Sequence, residues 1–368
     1  MLLMLYSFSQ QQPCNNEVIM NTKGSWKKVS DANMNAGNQS QVISRIDKMQ
    51  KLLQAAYPEP KGIEAEWYRS NSGNSLVKGG SVPYELNAFF LAYYCNTGTN
   101  KIELGDETGT WLYVWANQFN WFAEYVKYFS VKNQPVYLLT PQVGEFNGYP
   151  LYKGIHNENS NTGIKYSRSI IITRSGQSPC VPVTQKQYLK AFLLYNEKKL
   201  PETVAGIEKG FVVKTDAQEE EAKQKALESI AKNNRADAVE RQKVAYLKNY
   251  KPDKQKKEEW IAKTKKDYED AMKPVQNLLA NGTEQELEQP AIVDAVDFSK
   301  FNGFSTEAKG GRRLVSLNPD YFDSKLPKYV PQFLIVYWRW DKGKPQENFK
   351  NQLEANFNFN ALKEMIDK

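Results

Sequence analysis

Three acids, Glu103, Asp106 and Glu107, lie within the short segment IELGDE. Two carboxyl groups held about 5–10 Å apart across a cleft are what a glycosidase needs, so a carboxylate-dependent hydrolase is one reading of this segment. Asp and Gly together also favour tight turns, and an acidic hairpin loop would show the same residues. Other chemistries are easier to set aside. His156 is the only histidine and lies in the polar run IHNENSNTG, so metal centres built from several histidines are excluded. A Ser-His-Asp triad would have to use this residue, and no G-x-S-x-G elbow accompanies it. Neither a Walker loop nor a G-x-G-x-x-G run is present, which removes the usual nucleotide signatures. No metal site and no cofactor are expected. Gly310-Gly311-Arg312-Arg313 could hold an anion through N–H and guanidinium groups or form a tight turn entering a strand.

The three cysteines, Cys14, Cys95 and Cys180, form no C-x-x-C pair, which rules out zinc fingers. In an oxidising compartment they allow one disulfide and one spare thiol. Cys95–Cys180 is the expected pair, because both lie in strand-like sequence.

Aromatic residues make up 12% of the chain, with eight tryptophans. Trp111, Tyr113 and Trp115 alternate, so a strand would set all three on one face. Trp121 and Phe122 follow closely, and Trp338 and Trp340 flank Arg339. Buried, such a face is core. Open, it is a platform on which sugar rings or peptide side chains stack, with Asn117, Gln118 and Asn120 as hydrogen-bonding neighbours. The residues expected to bind ligand are therefore Trp111, Tyr113, Trp115, Asn117 and Trp121. Nucleic acid would also need a basic groove, and residues 82–130 are poor in Lys and Arg.

Elements must position these residues. Residues 38–56 carry Ile43, Ile46 and Leu53 at helical spacing and stop before Pro58 and Pro60, which predicts one amphipathic helix. Between 82 and 175, short aromatic and β-branched runs alternate with turns at Gly98, Gly105, Gly109, Gly144 and Gly148. That pattern predicts a mostly antiparallel sheet, covered by a helix on one side and partly covered on the other. Thr184 with Gln187 reads as a capping box, opening a helix whose Tyr188, Leu189, Phe192 and Tyr195 should pack on the sheet and which Lys198 and Lys199 close.

From Asp216 to Lys273 there is no glycine and one proline, with fifteen basic against thirteen acidic residues. Such composition predicts long solvated helices, here two arms of about thirty residues forming an antiparallel hairpin. Trp260 and Tyr268 are its candidate anchors for a protein partner or for self-association through 216–280. Strand-like sequence returns in GGRRLVSLNPDYF and PQFLIVYWRWD, and a helix closes the chain. The expected class is α+β, a mostly antiparallel sheet packed with helices and carrying a long charged helical hairpin insertion. The expected divisions are 1–9, 10–214, 215–283 as the insertion, and 284–368.

The opening MLLMLYSFS is too short to span a membrane, and no later segment is long and apolar enough. Its apolar run followed by Ser7, Ser9 and a polar stretch reads as the tail of a signal peptide, and export to the periplasm or the exterior is the expectation. The net charge of +7 is mostly scattered or mixed with acids, which describes a solvated basic surface. Absence of catalytic motifs points to binding, with a glycan or peptide as ligand; the hydrolase and a structural assembly component are the alternatives.

Overall fold

The computed structural model describes residues 14–34, 39–71, 74–154 and 166–368. The opening segment 1–9 and His156 lie outside the described residues. The strands in chain order are β1 (Trp26–Lys28), β2 (Ile63–Ser70), β3 (Tyr84–Asn96), β4 (Lys101–Leu104), β5 (Trp111–Ala116), β6 (Ala123–Val131), β7 (Gln134–Leu139), β8 (Gln142–Phe146), β9 (Tyr149–Lys153), β10 (Tyr166–Ile172), β11 (Cys180–Pro182), β12 (Ile292–Val293), β13 (Arg312–Leu317) and β14 (Leu334–Trp340). The helices are α1 (Asn16–Asn21), α2 (Gln39–Ala56), α3 (Gln185–Gly210), α4 (Asp216–Asn233), α5 (Ala236–Asn249), α6 (Asp253–Asn281), α7 (Glu284–Leu287), α8 (Lys344–Asn356) and α9 (Phe359–Lys363). The fold is α+β, a mixed but largely antiparallel sheet packed with helices.

Two compact units divide the chain: one runs, within the described residues, up to Val183 and adds Ile292–Asp294 and Ser305–Lys368; the other is Thr184–Ala291 with Ala295–Phe304. The first unit holds a nine-stranded sheet in the order β1-β2-β3-β5-β14-β10-β9-β8, with β4 on the far end of β3, and a five-stranded sheet β11-β13-β7-β6 with β12 on β13. Only β1 with β2 runs parallel among these ladders.

Strand alternation sorts the large sheet into two faces. One carries Leu86, Ala88, Phe90, Leu112, Val114, Val336 and Trp338, which form a core with Ile46, Met49 and Leu53 of α2 and Phe349 and Leu353 of α8. The other carries Tyr113, Trp115, Ile335 and Tyr337, which pack with Leu139, Val315 and Leu317 of the small sheet and with Phe119, Phe122 and Phe333. The second cover is thus a sheet, where the hydrophobic pattern indicated only partial cover.

Cys14 pairs with Cys95, their Cα atoms 5.7 Å apart, and Cys180 is a free thiol. This corrects the expected Cys95–Cys180 pair. Cys95 lies on β3 of the large sheet while Cys180 lies on β11 of the small one, and shared strand character does not bring two residues within disulfide reach.

In the second unit α3 starts at the Thr184 capping box as expected. It does not stop at Lys199 but runs through Pro201 to Gly210, and the Thr203 hydroxyl donates to the Lys199 carbonyl at 3.0 Å. Its aromatic face meets Phe298 and Phe304 of its own unit: Tyr195 stands 5.1 Å and Tyr188 5.9 Å from Phe298. Those phenylalanines, in a loop without periodicity, take the place assigned to the sheet. The charged region forms three helices, α4, α5 and α6, and the long neighbour of α6 is α3. Neither α4 nor α5 buries a side chain.

Candidate ligand-binding site

The antiparallel register sets Trp111, Tyr113 and Trp115 opposite Phe89, Asn87 and Glu85 of β3 on one side, and opposite Arg339, Tyr337 and Ile335 of β14 on the other. Tyr68 and Ser70 of β2 extend the rows beyond Asn87 and Glu85. A ladder of rings results. Trp111 stacks on Tyr113 at 5.5 Å and 7°, Tyr113 lies 5.4 Å from Trp115, and Phe89 sits 4.9 Å from Trp111.

Burial varies steeply along this ladder. Trp115 is 1% exposed and Tyr113 6%, both within the core shared with the small sheet. Trp111 is half-buried at the edge of that core. After β5 the chain turns through Asn117 and Asn120 at φ 58° and 40°, conformations that Asn tolerates better than most residues. A single turn of 3-10 helix at Asn120–Phe122 then carries Trp121 back over the strand. Its ring stands edge-on to Tyr113 at 5.1 Å and to Trp115 at 5.9 Å, and the residue remains 39% exposed. The accessible shelf is therefore Trp111 and Trp121, with Phe89 and Tyr68 alongside.

Asn117 is buried and structural. Its amide donates to the carbonyls of Val82 and Val330 at 3.0 and 3.3 Å, and its side-chain oxygen accepts the Gln332 N–H at 2.8 Å. Gln118 and Asn120 turn inward to Glu85, at 3.4 and 3.2 Å from its Oε2. Burial pushes the Glu85 carboxyl above the ordinary range, while the polar side chains of Asn87, Ser70, Trp115 and Asn120 pull the other way. The ladder's polar end is thus one carboxyl with two amides.

On the small-sheet side, Trp121 also walls a cleft of about 800 Å³, with Asn120, Glu124, Gln142, Lys153 and Glu307 among its polar residues. Arg312 lines it too, its guanidinium held by Glu124 at 3.0 Å and by the Leu138 and Leu139 carbonyls. Arg313 pairs with Glu307 at 3.0 Å, and Gly310 at φ 84° makes the turn into β13. The acidic hairpin is occupied structurally: Glu103 accepts from Asn96 at 3.0 Å and from Tyr94 at 3.1 Å, and these bonds lower its pKa.

In the second unit Trp260 is 50% exposed with its edge toward Phe211, and Tyr268 shares a hydrogen bond with Thr203 at 3.1 Å. Tyr268 is thereby tied to α3, whereas Trp260 stays open.

Three shelf residues, Tyr68, Glu85 and Phe89, do not stand out in the sequence. For Arg339 the signal was present: in LIVYWRW alternation places Trp338 and Trp340 on the face toward α8, where both are buried, and Arg339 on the opposite face with the rings.

Compared with known proteins, the chain matches no family model, no curated protein and no solved structure.

Proposed function

We propose that this chain is an exported glycan-binding protein that seats sugar rings against the exposed parts of Trp111 and Trp121. The observation that carries the reading is the exposure of Trp121 at 39% beside a half-buried Trp111, at the margin of an otherwise closed aromatic core. A Trp ring offers a flat apolar surface to the C–H face of a sugar, and the amides and carboxyl next to it suit ring hydroxyls. Asn120, exposed beside Trp121, and the Glu85 carboxyl supply such groups, and the neighbouring cleft leaves room for further units. Export is supported by the Cys14–Cys95 disulfide, since such bonds persist in oxidising compartments.

The test is a glycan array probed with the full chain and with Trp111→Ala and Trp121→Ala, run beside an array of peptides. The reading predicts retention on glycans that falls at least roughly 10-fold in either variant, as expected when one stacking contact is lost, with circular dichroism unchanged. Retention on peptides alone, or on glycans with both variants undiminished, contradicts it.

One observation favours hydrolysis as a second reading. A carboxyl raised by burial, as at Glu85, has the property of a general acid. Turnover of any retained glycan that disappears in Glu85→Gln would establish it, and retention without turnover would dismiss it.

A further inference from the structure

Arg339 gives the shelf its only strand-borne guanidinium opposite Trp111 in the β5 to β14 register. Its guanidinium carbon stands 5.7 Å from the ring centres of both Trp111 and Trp121. The residue is half-buried, and its Nε is enclosed without a hydrogen-bond partner. Among the described residues no carboxylate lies within 4.0 Å of it.

Among the other half-buried arginines, Arg69, Arg168, Arg174, Arg312 and Arg313 each grip a carboxylate, while Arg45 donates to the Lys368 carbonyl and lies over Tyr329. Asp341, two residues on, attracts Arg339 through space without closing to an ion pair within 4.0 Å, one of its oxygens accepting the Gly109 N–H at 2.8 Å. A guanidinium taken partly out of water without an acceptor is unfavourable. Two tryptophan faces offset part of that cost through cation–π attraction, but they leave the enclosed Nε–H without an acceptor. A planar fork of donors matches a carboxylate in a bidentate pair.

We infer that the shelf selects acidic glycans, seating a sugar carboxylate on Arg339 while the adjoining rings stack on Trp111 and Trp121. This rests on the glycan reading above and adds the class of sugar. The position of the cation decides it: Arg339 already lies over both indoles, so an acid bound at their solvent-exposed side meets it without displacing any ion pair.

The test uses oligosaccharides bearing uronic, sialic or muramic acids, each spotted beside its methyl ester, which keeps the ring and removes the charge. Wild-type protein is expected to be retained roughly 10- to 100-fold more strongly on the free acids, the worth of a hydrogen-bonded charge pair. Arg339→Gln is expected to bring acid and ester to the same weak level, and Arg339→Lys to recover part of the preference. Equal retention of wild type on acid and ester overturns the inference and leaves the glycan reading standing, whether or not the variants fold. A preference that survives in folded Arg339→Gln overturns it as well. Retention on neither member of any pair, nor on neutral glycans, removes the glycan reading along with it.

Discussion

Trp115 and Trp121 are 5.9 Å apart, ring to ring, yet one is core and the other surface. Removing Trp115 opens a cavity under the small sheet, so Trp115→Ala should cost about 3–5 kcal/mol in chemical denaturation; Trp121→Ala should stay within about 1 kcal/mol. Equal losses would mean that Trp121 also belongs to the core. Glu85 makes a second residue-level prediction. Its pKa is raised in the folded chain, so holding the charge costs stability at pH 7, and that cost vanishes as pH falls below the ordinary carboxylate value. Glu85→Gln should therefore melt above wild type at pH 7, with the gap shrinking toward zero near pH 4; a gap that widens on acidification would contradict this. At this scale the sequence was informative about residue type but not about depth. Alternation correctly put three rings on one face, but it carries no information on which of them the small sheet covers, and it offered Asn117 as a ligand group when that side chain braces the backbone.

Among the elements, the N-terminal segment before α1 is tied to the end of β3 by a disulfide closing 81 residues of sequence separation. Cys14→Ser should lower stability by roughly 2–4 kcal/mol through the freed loop entropy of the unfolded chain, read as a shift in denaturant midpoint. No such shift would mean the bond closes nothing that matters. The helices α4 and α5 bury no side chain and carry exposed Val244 and Leu247, so their amides should exchange hydrogen orders of magnitude faster than those of β3 and β5. Comparable protection would show a covering partner. Helical charge patterning made this region legible, because long solvated helices need no tertiary partner to be recognised. The pairing of α6 with α3 was not legible, since α3 has its own apolar face and nothing in its spacing names the partner. The loop phenylalanines that α3 uses have no period at all.

For the whole molecule, the α+β class followed from short β-branched runs, turn glycines and an amphipathic helix at 39–56 that does cover the large sheet. The division of strands into two sheets did not, because strand periodicity reports which faces are apolar and is silent on which strands share hydrogen bonds. That silence also misled the cysteine pairing. The central claim is that the open edge of the aromatic ladder, Trp111 with Trp121, is where a glycan sits. The most direct measurement is ¹⁹F NMR of the full chain with its eight tryptophans replaced by 5-fluorotryptophan, titrated with the best-retained glycan. The resonances assigned to Trp111 and Trp121 by substitution are expected to move together and saturate, while that of Trp260, an exposed residue of the other unit, stays put. Movement at Trp260 with Trp111 and Trp121 unchanged, or no movement at any position, would contradict it.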